Sequence, residues 1–149
     1  MTDFNHVSDD ETLFRAVMND RRMFPTDGHG NRRVSSMAFN DSRRRPSVDR
    51  AILCPGGARD TQTRFEAGSG VLSLIVSDVR GITTTHGATG ELYSVDVEPV
   101  PLTDNPSHAE IFGRPPFDTD RIFDRIKQAL ARIAEVAIPP GFFVEETPG

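Results

Sequence analysis

Residues 118–140 read DTDRIFDRIKQALARIAEVAIPP, the most strongly periodic stretch of the chain. Ile122, Ile126, Leu130, Ile133 and Ala137 recur three or four residues apart, with Phe123 beside them. That spacing places one apolar stripe along a helix. Arg121, Arg125, Lys127 and Arg132 fall outside the stripe. Asp118 or Thr119 offers a capping oxygen to the first free N–H groups, and Pro139-Pro140 stops the run. The pattern predicts a core-packing helix over 120–137, laid on a sheet.

The sheet has to come from the segments upstream. Tyr93, Val95 and Val97 alternate with Ser94, Asp96 and Glu98, the period-two signature of a strand with one buried face. Arg33-Val34-Ser35-Ser36-Met37-Ala38-Phe39 suits a short strand, and Ala109 to Phe112 a last one. Ser47 to Cys54 reads as a strand or a helical turn, closed by Pro55-Gly56-Gly57. Val71 to Val79 fits a helix by spacing and a buried strand by its β-branched content, and the strand is the reading preferred. Residues 56–70 read as loop. Ser8-Asp9-Asp10-Glu11 has the form of a capping box, and Leu13, Phe14, Val17 and Met18 follow at helical spacing. A short helix over 9–20 is the expectation. The resulting fold class is α+β: a small mixed or antiparallel sheet with a C-terminal helix packed on it. One domain over 8–143 is expected, between disordered tails at 1–7 and 144–149.

Composition narrows the function classes. A length of 149 residues suffices for one domain with a real core, although only 36% of residues are hydrophobic and there are 12 Gly and 11 Pro. No apolar run reaches the roughly 18 residues of a membrane span. The acidic opening MTDFNHVSDDET lacks the basic and apolar regions of a signal peptide, so a cytoplasmic protein is expected. Cys54 is the sole cysteine, which excludes an intrachain disulfide and a thiolate-rich zinc site. The net charge of −5 argues against nucleic acid as a whole-surface partner. Yet arginine is concentrated between Arg15 and Arg50, with Arg43-Arg44-Arg45 at its densest point. Such a run is a solvated face, an anion site, or a surface docking on an acidic partner, and docking is the expectation for Arg43, Arg44 and Arg45.

Catalytic motifs fail one by one. His108-Ala109-Glu110 has the spacing of the zinc nucleobase deaminases, but those need a Pro-Cys-x-x-Cys downstream, where this chain has no cysteine. His29, His86 and His108 lack metal-ligand spacing. There is no G-x-S-x-G elbow and no P-loop. Leu13-Phe14-Arg15, Arg33-Val34-Ser35-Ser36 and Glu145-Glu146 distantly resemble the ADP-ribosyltransferase layout. The resemblance would make the Glu the stabiliser of a ribosyl cation and the Arg a phosphate holder. The chain departs from it in placing Arg15 after a helix cap and the glutamates in a tail.

A second resemblance spans roughly residues 12–135. Arg33-Val34-Ser35-Ser36-Met37-Ala38-Phe39, Ser47-Val48 and Asn105-Pro106-Ser107-His108-Ala109-Glu110-Ile111-Phe112-Gly113 are similar to a pattern in a family of small bacterial proteins, R-P-S-S-x-A-F, S-V and N-P-x-H-A-x-I-x-G, with Val34 in place of the usual proline. The resemblance implies one domain and an accessory role beside neighbouring genes, and no mechanism. Ser35, Ser36, Ser47 and His108 are polar groups in hydrophobic segments, so if buried they form either a hydrogen-bonded network or a wall of a ligand pocket. Arg33, Ser35, Ser36, Ser47, His108 and Glu110 are the ligand or network candidates. With no complete catalytic set, no metal and no cofactor implied, the expected function is that of a non-enzymatic accessory or protein-interaction component of a multi-component bacterial system, such as a defence or conflict system. Its partner would be a protein encoded nearby. The alternative is a small-molecule or nucleotide-binding domain, including a divergent ADP-ribosyltransferase-like enzyme.

Overall fold

A computed structural model describes residues 4–146. It holds one seven-stranded sheet, antiparallel throughout, in the order β4-β5-β6-β2-β1-β3-β7. The strands are β1 (Thr12–Val17), β2 (Ser47–Arg50), β3 (Gly70–Ile75), β4 (Thr83–Thr85), β5 (Leu92–Pro99), β6 (His108–Arg114) and β7 (Glu135–Ile138). The helices are α1 (Ala58–Phe65), α2 (Val76–Arg80), α3 (Asp120–Ile133) and α4 (Phe142–Glu146). The α+β class holds, but the sheet is larger than expected.

The registers divide the sheet into two unlike faces. Leu13 lies opposite Leu74, Arg15 opposite Leu72, Val48 opposite Ala109, and Val97 opposite Ile111. All but Arg15 are buried, and they form the core with Ile122, Phe123, Ile126 and Leu130 of α3. The other face carries Phe14, Ser47, Asp49, His108, Glu110, Asp96 and Glu98, and α1 covers part of it near β1 and β3. Gly113 is needed on β6 because a Cβ there would meet the Phe117 ring at 2.5 Å.

Several expectations are corrected. The helix over 9–20 is strand β1. Half of the capping box does form, since Glu11 Oε2 accepts the Ser8 N–H at 2.7 Å, but Glu11 then turns its carboxylate to Arg50 instead of starting a helix. Leu13 and Val17 are four residues apart, a spacing that shares a face in a helix and in a strand alike. Pairing with β3 along all six residues decides between them. The strand expected at 33–39 is extended only to Ser35, whose hydroxyl accepts the Met37 N–H at 3.1 Å and caps a 3-10 turn at Ser36–Phe39. Residues 71–79 are the preferred strand only in part: β3 up to Ile75, then α2. The loop at 56–70 contains α1. The C-terminal helix is capped by Thr119 and ends at Ile133, short of 137. Beyond it, Val136 and Ile138 pair with Leu72 and Val71, so β-branched residues near the prolines complete the sheet rather than the helix. Val7 is buried in the core, ahead of the boundary expected at residue 8, and α4 runs into the expected C-terminal tail. Residues 1–3 and 147–149 of the expected tails lie outside the described residues.

The Arg50 side chain is 1% exposed and the Glu11 side chain 4%. Arg50 donates to both Glu11 oxygens, at 2.8 and 2.9 Å, and to the carbonyls of Phe4 and His6. Removing one partner strands a buried charge. Arg50→Ala is expected to cost about 3–5 kcal/mol in a urea denaturation curve. Leu130→Ala, which empties a fully buried site on α3, is expected to cost about 2–5 kcal/mol by the same measurement.

Candidate functional site

Strands β1 and β2 pair only at Leu13 with Arg50 and Phe14 with Asp49. Beyond these rungs they part, and Arg15, Ala16 and Val17 keep only β3 as a neighbour. The Arg15 guanidinium occupies the gap. Its Nη1 donates to Ser47 O at 2.8 Å, its Nε to Ala38 O at 2.9 Å and its Nη2 to Asn40 O at 3.1 Å. Three neutral oxygens therefore hold a cation. Desolvation draws its pKa down to about 10, opposed by Asp41 acting through space, so the group stays charged at neutral pH.

A cleft of about 460 Å³ opens over this fork. Phe14, Met18, Met37 and Phe65 give it apolar walls, and each of them is at least partly exposed. Its polar side is built on Asp49, a buried carboxylate on the outer face. Asp49 accepts from Thr61 Oγ1 at 2.7 Å, Arg64 Nη2 at 2.9 Å and Asn105 Nδ2 at 2.8 Å. Burial alone would raise the Asp49 pKa, but these three donors together with the Arg64 charge hold it below the ordinary carboxylate value. The Arg64 side chain is 35% exposed and bonds to Asp49, Ser107 and Cys54 through Nη2 alone. Its Nε and Nη1 have no hydrogen-bond partner among the described residues.

His108 and Ser47 close the opposite side. His108 Nδ1 lies 2.8 Å from Val100 O, an atom that can only accept, so Nδ1 carries the proton. Nε2, 3.0 Å from Ser47 Oγ, is then the acceptor for the serine hydroxyl. The imidazole thereby fixes the connection between β5 and β6 against β2.

The structure thus distributes the sequence candidates over three places. Ser47 and His108 meet in the cleft. Arg33, Ser35 and Ser36 line a separate groove beside α3. Glu110 lies buried further along the outer face, accepting from Arg43 Nη2 at 2.7 Å and Arg45 Nε at 2.6 Å. Arg45 also pairs with Glu98, and Arg44 Nη2 reaches Asp120 at 2.8 Å. The three arginines expected to dock a partner are therefore engaged within the chain. The transferase-like set is not gathered either: Arg15 sits in a strand and holds main-chain oxygens, Ser35 caps a turn in the other groove, and the side chains of Glu145 and Glu146 lie outside the described residues.

Sequence reasoning missed Asp49, Thr61, Arg64, Asn105 and Ser107 as site residues. The alternation in Ser47-Val48-Asp49 was a usable signal, since it puts Ser47 and Asp49 on one face. Arg64 had none, because its helix was read as loop. Among the described residues no group of three His, Cys, Asp or Glu side chains could hold a metal ion, and no helix is long and apolar enough to cross a membrane. No family model matches the chain, and no curated protein or solved structure is significantly similar to it.

The buried carboxylates predict a pH dependence. Burial favours the protonated form of Glu110, but Arg43 and Arg45 outweigh it, so Glu110, like Asp49, titrates below its ordinary value. Both then bind fewer protons folded than unfolded, so their contribution is present above about pH 4 and is lost as the pH falls through the lowered values. Thermal melts between about pH 3 and pH 7 should show stability falling at the acid end. Asp49→Asn and Glu110→Gln should each lower the neutral-pH melting temperature and flatten that fall. Parallel curves for variant and wild type would contradict this account.

Proposed function

We propose that the chain is a binding module whose cleft takes a small amphipathic anion, with a carboxylate as the reference chemistry. The observation that carries the reading is the charge balance of the lining: Arg15 and Arg64 face one carboxylate, Asp49, in a protein of net charge −5. Arg64 is the residue that would bind directly. Asp49, Ser107 and Cys54 take up Nη2, which leaves Nη1 and Nε, on different sides of the guanidinium, each to donate singly to a carboxylate oxygen. Arg15 adds a fixed positive potential from the floor. Asn105 and Ser107 keep Arg64 and Asp49 in place, and Phe14, Met18, Met37 and Phe65 accept the apolar part of the ligand. Ser47 and His108 give the cleft a polar rim.

The family resemblance supports this reading, because its three segments supply Met37 and Ala38, Ser47, and Asn105 with His108 to the same cleft. On this proposal the module serves as the sensing or accessory part of a multi-component bacterial system, and a cytoplasmic setting suits its single unpaired Cys54.

The test uses 4-phenylbutyrate and its uncharged amide as probes, titrated into the protein by calorimetry or by NMR chemical-shift mapping. The carboxylate is expected to bind in the millimolar range or better, with shifts at Arg64, Phe65 and Met37. The amide is expected not to bind. Arg64→Gln should weaken binding about tenfold or more, the worth of a charge-assisted hydrogen-bonded pair. Equal binding of the amide, no binding of either probe, or an indifferent Arg64→Gln variant would each reject the proposal.

A further inference from the structure

At the far end of the sheet, β7 is an edge strand: it pairs with β3 on one side, and no described strand lies on its other side. Val136 lies opposite Leu72, so it belongs to the core face, yet it is 42% exposed while Leu72 is fully buried. Among the described residues the core face is only partly covered at β7, where Val136 shares a groove with α3 and with Phe143 of α4. α3 ends at Ile133, and the chain between Phe24 and Ser36 passes on the other side. Between them lies a groove of about 670 Å³ with Val34, Ala131, Ala134 and Val136 in its wall. Arg33 and Arg132 flank it. Both are exposed, and neither guanidinium has a hydrogen bond or ion pair among the described residues, Asp27 reaching Arg33 only through space. Glu135, the nearest acidic residue on the strand, alternates to the opposite face from Val136.

An open strand edge, an apolar strip along it and two cations without partners select one kind of occupant. We infer that this groove docks an extended acidic segment of a partner protein, which adds to β7 as an eighth strand. Main-chain hydrogen bonds to the β7 edge would supply affinity, alternate apolar side chains would cover Val136, and acidic residues flanking that apolar stretch would meet Arg33 and Arg132. This surface is separate from the cleft at β1 and β2 and does not depend on what the cleft binds. It also returns the docking role from Arg43, Arg44 and Arg45, which are paired internally, to arginines that are not.

The experiment uses an eight-residue end-blocked fluorescent peptide in which two glutamates at each end flank a central Leu-Thr-Leu-Thr, read by anisotropy with the full chain. The comparison peptides are the same sequence with lysine for glutamate, and with a central leucine replaced by proline. The glutamate peptide is expected to bind and to weaken as salt rises. The lysine peptide should fail for lack of charge complementarity, and the proline peptide because it lacks a ladder donor. Arg33→Ser with Arg132→Ser should weaken binding about tenfold, as two exposed charge pairs allow, without changing the melt. Val136→Asp should abolish it. Equal binding of the lysine or proline peptide, no binding of the glutamate peptide, or unchanged affinity in the double variant would overturn the inference.

Discussion

Where β1 and β2 part, the Arg15 guanidinium replaces the rungs that the ladder lacks. Its three donors tie β1 to β2 at Ser47 and to the 36–40 segment at Ala38 and Asn40. Those segments are far apart in sequence, and the turn they include packs against α3 on the core side. One side chain thus sets the width of the fork, the seat of the turn and the floor of the cleft. Arg suits the position because its fork of donors serves several oxygens at once and stays charged when partly desolvated. The same property gives the cleft its sign, since the carbonyl oxygens satisfy the donors without cancelling the charge.

The outer face of the sheet shows how a chain with few apolar residues covers a large sheet. Asp49 is met by Arg64, Glu110 by Arg43 and Arg45, and Asp96 by Arg80 and Arg114. Phe112 lies under two of these arginines, with their guanidinium carbons 5.0 and 4.7 Å from the ring centroid. Stacked stems and paired heads cover strand surface that Val or Leu would cover elsewhere. No buried side-chain polar atom among the described residues lacks a partner, so the lattice avoids the cost of unsatisfied burial. Arginine-rich stretches in this protein act mainly as internal staples. Arg33 and Arg132 are exceptions because they lie where the sheet ends and the opposing carboxylates run out.

Local features were legible in the sequence. The stripe from Ile122 to Leu130, the Thr119 cap and the alternation from Tyr93 to Val97 each lie within one element, where the 3.6 or two-residue period is set by the backbone itself. Leu13 and Val17 were ambiguous because four is a same-face interval in both periods. Only the six-residue ladder with β3 resolves it. Ser8 and Glu11 carried a helix-start signal and form its contact, yet Arg50, 39 residues further on, decides what the segment becomes. The α3 boundary moved for the same reason: Val136 and Ile138 pair with β3 in place of a further helical turn.

By itself the sequence determined the α+β class, the C-terminal helix and the pool of polar residues from which a site could be built. It could not say which of them meet. Ser47, Asp49, Arg64 and His108 become one cleft, and Glu110 leaves for another cluster, through strand registers that link residues tens of positions apart. A register depends on the summed pairing of whole strands, and no local pattern of side chains encodes that sum.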